Sequence, residues 1–159
     1  MIRIGQSTDV HQLVSNRPLI IGGVNIPHDK GLLGHSDADV LLHAIAEAIL
    51  GALGLNDLGT HFKDNDENTK GMSSLLILKK VYEMMDERNF KIGNVDSLVI
   101  IEKPHLRPYI EKMRENIAIT LNTDISNINV KATCCEKMGF IGKEEGAVAQ
   151  AVVLLVSKE

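Results

Sequence analysis

Asp9 and His11 stand two positions apart, and on an extended segment that spacing turns both side chains to the same side. Further on, Asp39, His43 and Glu47 recur every four residues, the spacing of one helix face, and Gly51 continues the stripe without a side chain. One carboxylate and two imidazoles, Asp9, His11 and His43, can give a zinc ion three ligands and leave its fourth position to a substrate oxygen, the arrangement of catalytic zinc. The plainer readings are an Asp and a His bonding loop amides at a strand end, and a stripe that is the wet face of a helix. His28, His35, His61 and His105 supply no H-E-x-x-H spacing and there is no C-x-x-C, which excludes a structural zinc finger.

Two further clusters carry chemistry. Asp57, Asp64 and Asp66 fall in one loop, and Asp64 to Asn68 superficially matches a calcium loop. Thr69, however, stands where that loop needs Gly, and Leu75 where it needs a bidentate Glu. What remains is a solvated acidic loop or a set of acceptors for a polyol. Near the carboxyl end, Lys131-Ala132-Thr133-Cys134-Cys135-Glu136-Lys137 joins hydroxyl, thiol, carboxylate and cations, a composition suited to a diphosphate with a hard cation such as Mg2+, or to an ordinary strand end with a turn. No P-loop and no G-x-G-x-x-G is present, so a nucleotide is not held in those ways.

The elements that must position these groups follow from pattern. A short strand is expected at Ile2 to Ile4, and a hairpin where Leu19-Ile20-Ile21 and Val24-Asn25-Ile26 flank Gly22-Gly23. Asp37 to Leu53 reads as a largely buried helix capped by Ser36, followed by a loop. A second helix runs from about Met72 to Glu87 with Leu75, Leu76, Leu78 and Val81 on its apolar side. Val95 to Ile101 reads as a strand, Pro104 and Pro108 bracket a turn, and Tyr109 to Leu121 is helical. Strands at Asn129 to Thr133 and Ala147 to Val156 enclose a glycine-punctuated loop from Gly139 to Gly146. This order predicts an α+β fold, a mixed sheet with helices on one face, in one domain spanning 1–159.

Composition narrows the function. With 159 residues the chain can bury roughly 70% of its unfolded surface, so a metal is not needed for folding and any site for one is functional. A net charge of -4 with 3% aromatics and no Trp argues against nucleic acid as a partner. Cys134 and Cys135 have no other cysteine to pair with, which suits a reducing cytoplasm. No leader is visible at the amino end, and Val40 to Leu55, broken by His43 and Glu47, cannot cross a membrane.

Several blocks resemble one family. They are Asp9-Val10-His11, Ile21-Gly22-Gly23-Val24 with Ile26-Pro27, the run Gly31-Leu32-Leu33-Gly34-His35-Ser36-Asp37-Ala38-Asp39-Val40-Leu41-Leu42-His43-Ala44, and Lys131-Ala132-Thr133 through Glu136-Lys137-Met138-Gly139-Phe140. Together they are similar to the 2-C-methyl-D-erythritol 2,4-cyclodiphosphate synthases over essentially the whole chain. The resemblance implies a fold like the small trimeric chorismate mutases, a homotrimer with active sites between subunits, and one reaction of the methylerythritol phosphate route to isoprenoids. In it the 2-phosphate of 4-diphosphocytidyl-2-C-methyl-D-erythritol 2-phosphate attacks the β-phosphorus, closing a cyclodiphosphate and releasing CMP. Catalysis is then positioning and charge stabilisation.

By matching position, the resemblance gives Asp9, His11 and His43 to Zn2+ and Glu136 to a Mg2+ or Mn2+ on the diphosphate. His35 and Ser36 take the 2-phosphate place at a helix opening whose amides attract anions. His35 and Cys134 hold the catalytic places. Asp57, Gly59, Phe62, Asp64 and Asp66 match positions around the erythritol. Ile101, Pro104 and Arg107 belong to the cytidine turn, and Thr133, Phe140 and Lys143 complete the substrate contacts. The chain departs from the family's habit at Cys134-Cys135, where Thr-Thr is usual, at Glu47 for Asp, at Lys143 for Arg, and at Gln6, Ser7 and Thr8. Two other functions compete: a non-catalytic trimer binding isoprenoid diphosphates in an axial cavity near Lys143, and a zinc phosphohydrolase releasing CMP by water attack.

Overall fold

One-sided alternation runs much further along the amino end than the three apolar-rich residues expected there. In the computed structural model, which describes Met1 to Glu159, strand β1 covers Ile2–Ser15. Its polar residues do not end it, because the pleat sorts them: Ser7, Asp9, His11 and Leu13 share one face, and Ile2, Ile4 and Val10 the other. β1 pairs antiparallel with β7 (Gly146–Ser157) from Ile2 opposite Val156 to Gln12 opposite Gly146. Its far end pairs with β4 (Lys30–Leu32), a short strand that no pattern signalled. On the other side β7 pairs antiparallel with β5 (Phe90–Ile100), five residues longer at its start than expected, and β5 pairs parallel with β6 (Ile128–Thr133). The sheet order is β4-β1-β7-β5-β6. The expected hairpin forms separately from β2 (Leu19–Ile21) and β3 (Val24–Ile26), with Gly22 and Gly23 at φ of 62° and 73°, the left-handed pair that a two-residue turn needs.

The helices pack on one face of this mixed sheet. α1 (Val40–Leu53) is buried nearly all round and lies so close to β1 that a Cβ on Gly5 would fall 1.9 Å from the Ala48 carbonyl oxygen. Burial of its Leu, Ile and Val side chains contributes about 1.5–3 kcal/mol each, enough to fix α1 to the sheet. It begins three residues later than expected, and its cap is Asp39 rather than Ser36: the Asp39 carboxylate accepts from the Leu42 amide, and Ala38, at φ 58°, turns the chain before the helix. The acidic loop is not structureless. Asp57 caps a short helix, α2 (Leu58–His61), and Asp66 caps a 3-10 turn at Glu67–Thr69.

α3 (Ser74–Glu87) turns Ile77, Leu78, Val81 and Met85 inward. Leu76, expected on that side, is 47% exposed, because the sheet-facing stripe is set one step round the helix. α4 (Ile110–Thr120) sits within the expected limits, and the segment expected as a loop after Met138 makes one helical turn, α5 (Gly139–Gly142). No helix is long and apolar enough to cross a membrane. The face of the sheet away from the helices leaves Ile2, Ile4, Val10 and Val152 exposed.

Candidate active site

β1 and α1 bring Asp9, His11 and His43 to one point. Asp9 Oδ2 lies 2.9 Å from His11 Nε2 and 3.3 Å from His43 Nδ1, and the two ring nitrogens are 3.3 Å apart. Three ligands held on a tetrahedral ion at about 2.0–2.1 Å would stand about 3.3–3.4 Å from one another; two of the three separations match this and Asp9–His11 is closer, so the group could hold a metal ion. Asp9 Oδ2 is buried without a hydrogen-bond partner, a state that costs free energy unless a cation or a donor meets it. Burial opposes its ionisation, but the two facing imidazoles outweigh burial and hold the Asp9 carboxyl down at about 2. Burial likewise lowers the His11 pKa, yet Asp9 outweighs it and the net shift is upward.

The outer ring nitrogens are also engaged. His11 Nδ1 lies 2.8 Å from the Leu33 carbonyl, which can only accept; Nδ1 therefore carries the proton and Nε2 presents a lone pair to the triad. His43 Nε2 faces two hydroxyls, Ser74 Oγ at 2.9 Å and Ser36 Oγ at 3.1 Å. Asp39, which shares the stripe with His43, is no part of a wet face: it is fully buried and accepts from the Gly22 and Gly23 amides of the hairpin as well as from Leu42. Burial, with Asp37 nearby, pushes its carboxyl up to about 6 although those three amides pull it down. Asp39 thus takes the Leu42 amide at the opening of α1, beside the place where an anion is expected.

Around the triad lies a cavity of about 200 Å3. His35, Ser36, Gly59, Phe62 and Asp64 line it. Glu47 lines it too, while its carboxylate accepts from Ser7 Oγ at 2.6 Å and from the Leu58 amide at 3.1 Å, tying β1 to the start of α2. His35 Nε2 lies 2.9 Å from the Asp66 carbonyl, which fastens the acidic loop over the cavity. The carboxylates of Asp57 and Asp66 do not line it. Asp57 accepts from the Thr60 amide and hydroxyl, which hold its carboxyl below the usual range, and Asp66 accepts from Asn68.

A second cavity, of about 640 Å3, lies at the ends of β5 and β6 and gathers Ile101, Pro104, Arg107, Thr133 and Cys134. Both Glu102 carboxylate oxygens accept backbone amides across it, from Cys135 and from Lys137, each at 3.0 Å. That clamp holds a turn in which Glu136 and Lys137 adopt φ of 51° and 63°. Cys134 is exposed, its thiol 3.7 Å from Glu136 Oε1. Phe140 and Lys143 line neither cavity; Lys143 ends α5 and is exposed.

The second cavity lies at the strand ends and takes lining from both faces of the sheet, Ala132 from the helix side and Lys131 and Thr133 from the other. Val10, Val148, Ile100 and Thr133 form one row across β1, β7, β5 and β6, and residues paired in a row share a face. Thr133 therefore faces the open side with Val10, as do the ion-paired Lys131 and Asp96, whereas Asp9 and His11 face the helices. Three strand steps put Thr133 about 14 Å from Val10.

Ser74 as a contact of His43, Asp37 as the partner of Ser74, and Glu102 as a clamp were not expected from the sequence. Their partners lie more than thirty positions away, and no local spacing announces them.

The YgbB family profile matches residues 2–156. The 2-C-methyl-D-erythritol 2,4-cyclodiphosphate synthase of Geobacillus sp. (strain WCH70) is 58% identical over 158 residues, 99% of this chain and 100% of that one. Among solved structures, the bifunctional IspDF from Campylobacter jejuni superposes with a TM-score of 0.96 at 42% identity, covering 100% of this chain and 43% of that larger one. The CDP complex of IspF from Plasmodium falciparum superposes with a TM-score of 0.88 at 37% identity, covering 99% and 97%.

Proposed function

Because the chain belongs to the YgbB family, that of the 2-C-methyl-D-erythritol 2,4-cyclodiphosphate synthases, we propose that its two cavities are halves of one active site completed between neighbouring copies. The protein is a cyclodiphosphate synthase of the methylerythritol phosphate pathway. It converts 4-diphosphocytidyl-2-C-methyl-D-erythritol 2-phosphate to the 2,4-cyclodiphosphate: an oxygen of the 2-phosphate bonds to the β-phosphorus, the bond from that phosphorus to the bridging oxygen breaks, and CMP leaves with that oxygen. In class it is a phosphorus-oxygen lyase acting as a single domain over 1–159, in the cytoplasm, with neither nucleic acid nor membrane as partner.

The observation that carries the reading is the convergence of Asp9, His11 and His43, with Asp9 Oδ2 buried and lacking a hydrogen-bond partner, a donor set that fits Zn2+. Asp9, His11 and His43 would hold the Zn2+ and Glu136 would meet a Mg2+ or Mn2+ brought with the substrate, and the two ions would supply Lewis-acid polarisation and charge neutralisation at the diphosphate. The chain's own groups do the rest. His35 and the Ser36 hydroxyl face the cavity beside the triad and orient the 2-phosphate toward the β-phosphorus. Gly59, Phe62 and Asp64 shape the space for the methylerythritol, with Asp57 and Asp66 setting the backbone of that loop. In the second cavity Ile101, Pro104 and Arg107 receive the cytidine, and Thr133 and Cys134 meet the diphosphate, where charge develops in the transition state. Phe140 and Lys143, outside both cavities of one chain, make their contacts across the assembly.

The triad and Thr133 stand on opposite faces of the sheet, which supports completion of the site by a second copy, and the exposed Ile2, Ile4, Val10 and Val152 offer an apolar face for it. We assign a homotrimer of about 52 kDa from the 17.4 kDa chain. Phosphorus NMR of the turnover mixture tests the function: a cyclic diphosphate with CMP is expected. An open-chain bisphosphate would mean hydrolysis, and absence of turnover would mean a binding protein.

A further inference from the structure

His43 is the one triad member that reaches its place from a helix, and its outer nitrogen meets two serines that do not have the same freedom. Ser74, the first residue of α3, is 1% exposed. Its amide donates to Asp37 Oδ2 at 3.0 Å, and its hydroxyl makes a short hydrogen bond to Asp37 Oδ1. A carboxylate only accepts, so the Ser74 hydroxyl proton is committed to Asp37 and the oxygen keeps its lone pairs for the His43 Nε2 proton, 2.9 Å away. Asp37 itself is held in place by the Asp39 amide at 3.1 Å. Ser36 is bonded differently. Its oxygen accepts from the Ala38 amide at 3.2 Å and lies 3.1 Å from the same His43 Nε2, and no acceptor within the chain takes its proton. Ser36 also lines the cavity, which Ser74 does not.

We propose that Ser74, backed by Asp37, is a positioning residue for the zinc ligand His43, and that this leaves the Ser36 hydroxyl proton to a phosphate oxygen in the cavity. The proposal rests on the reading of Asp9, His11 and His43 as a zinc triad. The chain Asp37–Ser74–His43 fixes the ring rotation, commits the proton to Nε2 and makes Nδ1 a stronger donor to the metal, which is how groups behind a ligand set metal affinity. It also joins the zinc site to the start of α3, where the acidic loop over the cavity ends.

The test compares zinc affinity by chelator competition in the full-length wild type, Ser74→Ala, Asp37→Asn and Ser36→Ala proteins, with thermal melts of the metal-free forms. Ser74→Ala is expected to weaken zinc by about 10–100-fold, the usual range for loss of a group behind a metal ligand. Asp37→Asn retains an oxygen for the Ser74 hydroxyl but not the charge, and should weaken zinc by a smaller factor in the same direction. Ser36→Ala should leave zinc affinity within about threefold and instead raise KM for the substrate, since its role lies with the ligand. If Ser74→Ala does not fold, Asp37→Asn against Ser36→Ala decides. Wild-type zinc affinity in Ser74→Ala and Asp37→Asn, or equal weakening in Ser36→Ala, overturns the proposal while the triad stands. A wild-type protein that binds no stoichiometric zinc overturns the triad reading itself.

Discussion

Two variants, each inactive alone, should restore activity when mixed within one oligomer. His43→Ala removes a triad ligand on the helix side of the sheet, and Glu136→Ala removes the carboxylate of the turn beyond β6. Within one chain the two sides lie well apart: Thr133 stands about 14 Å from Val10 across three strand steps, on the face of the sheet turned away from Asp9 and His11. Adjacent phosphorus atoms of a diphosphate span only a small fraction of that distance. On the proposed reading a productive site joins the triad of one copy to the Glu136 turn of its neighbour. In a trimer assembled at random from equal amounts of the two variants, the triad side is intact with probability one half and the turn side likewise, so about a quarter of wild-type activity per site returns. If the two variants carry different tags and only doubly retained oligomers are assayed, each mixed ring holds one productive interface in three, and recovery rises to about a third. The assay is CMP release after co-expression, with each variant alone as the baseline. Recovery no greater than the sum of the separate variants would refute the two-copy site and leave both halves to be reconciled within one chain.

Three further outcomes follow from named contacts. In the metal-free protein Asp9 raises the His11 pKa above its ordinary 6.5, so stabilisation by this pair is full below that value and lost as pH rises through the folded pKa; zinc needs neutral His11 and binds better as pH rises. The gap in melting temperature between zinc-loaded and metal-free protein should thus widen across neutral pH, and a constant gap would contradict the ligand assignment. Glu102→Ala removes both acceptors that hold the left-handed Glu136–Lys137 turn and should weaken CDP binding in calorimetry by about tenfold, the size of one charge-assisted hydrogen bond, with zinc affinity unchanged. Cys134, exposed at the second cavity, should be alkylated readily and protected by CDP with Mg2+, while Cys134→Thr keeps or raises turnover because a hydroxyl donates better than a thiol; equal labelling with and without CDP, read by mass spectrometry, would place the thiol away from the ligand.

Much of the Asp9–His11–His43 cluster was legible from residue order alone. Asp9 and His11 share a face of any extended segment because side chains alternate, and the apolar residues around His43 required a buried helix whatever it packed on. The hairpin was legible for the same local reason, since Gly22 and Gly23 tolerate the left-handed backbone that its turn requires. Spacing also marked Asp39, His43 and Glu47 as one stripe, yet it could not tell a wet face from a buried one. Asp39 is enclosed because the hairpin folds its glycine amides onto it, and only the tertiary structure brings those amides there.

The same division explains the errors and omissions. Whether an aspartate caps a helix or faces a ligand depends on where the next turn begins, so Asp57 and Asp66 could not be separated from Asp64 by composition. Ser74 and Glu102 act on groups more than thirty residues distant, and no short-range period encodes such a meeting. Which side of β1 receives the helices was also undecided locally, since Ile2, Ile4 and Val10 are more apolar than the residues that face them inward. Packing of α1 against Gly5 chose the side of Ser7, Asp9 and His11, and in doing so left the apolar residues on the open face with Thr133. The residue types suited to the chemistry were written in the sequence because ligand chemistry belongs to single side chains; the placement of Asp9 and His11 on one face of the sheet and Thr133 on the other came only from the fold, because a strand's period defines two faces but not which of them will be covered.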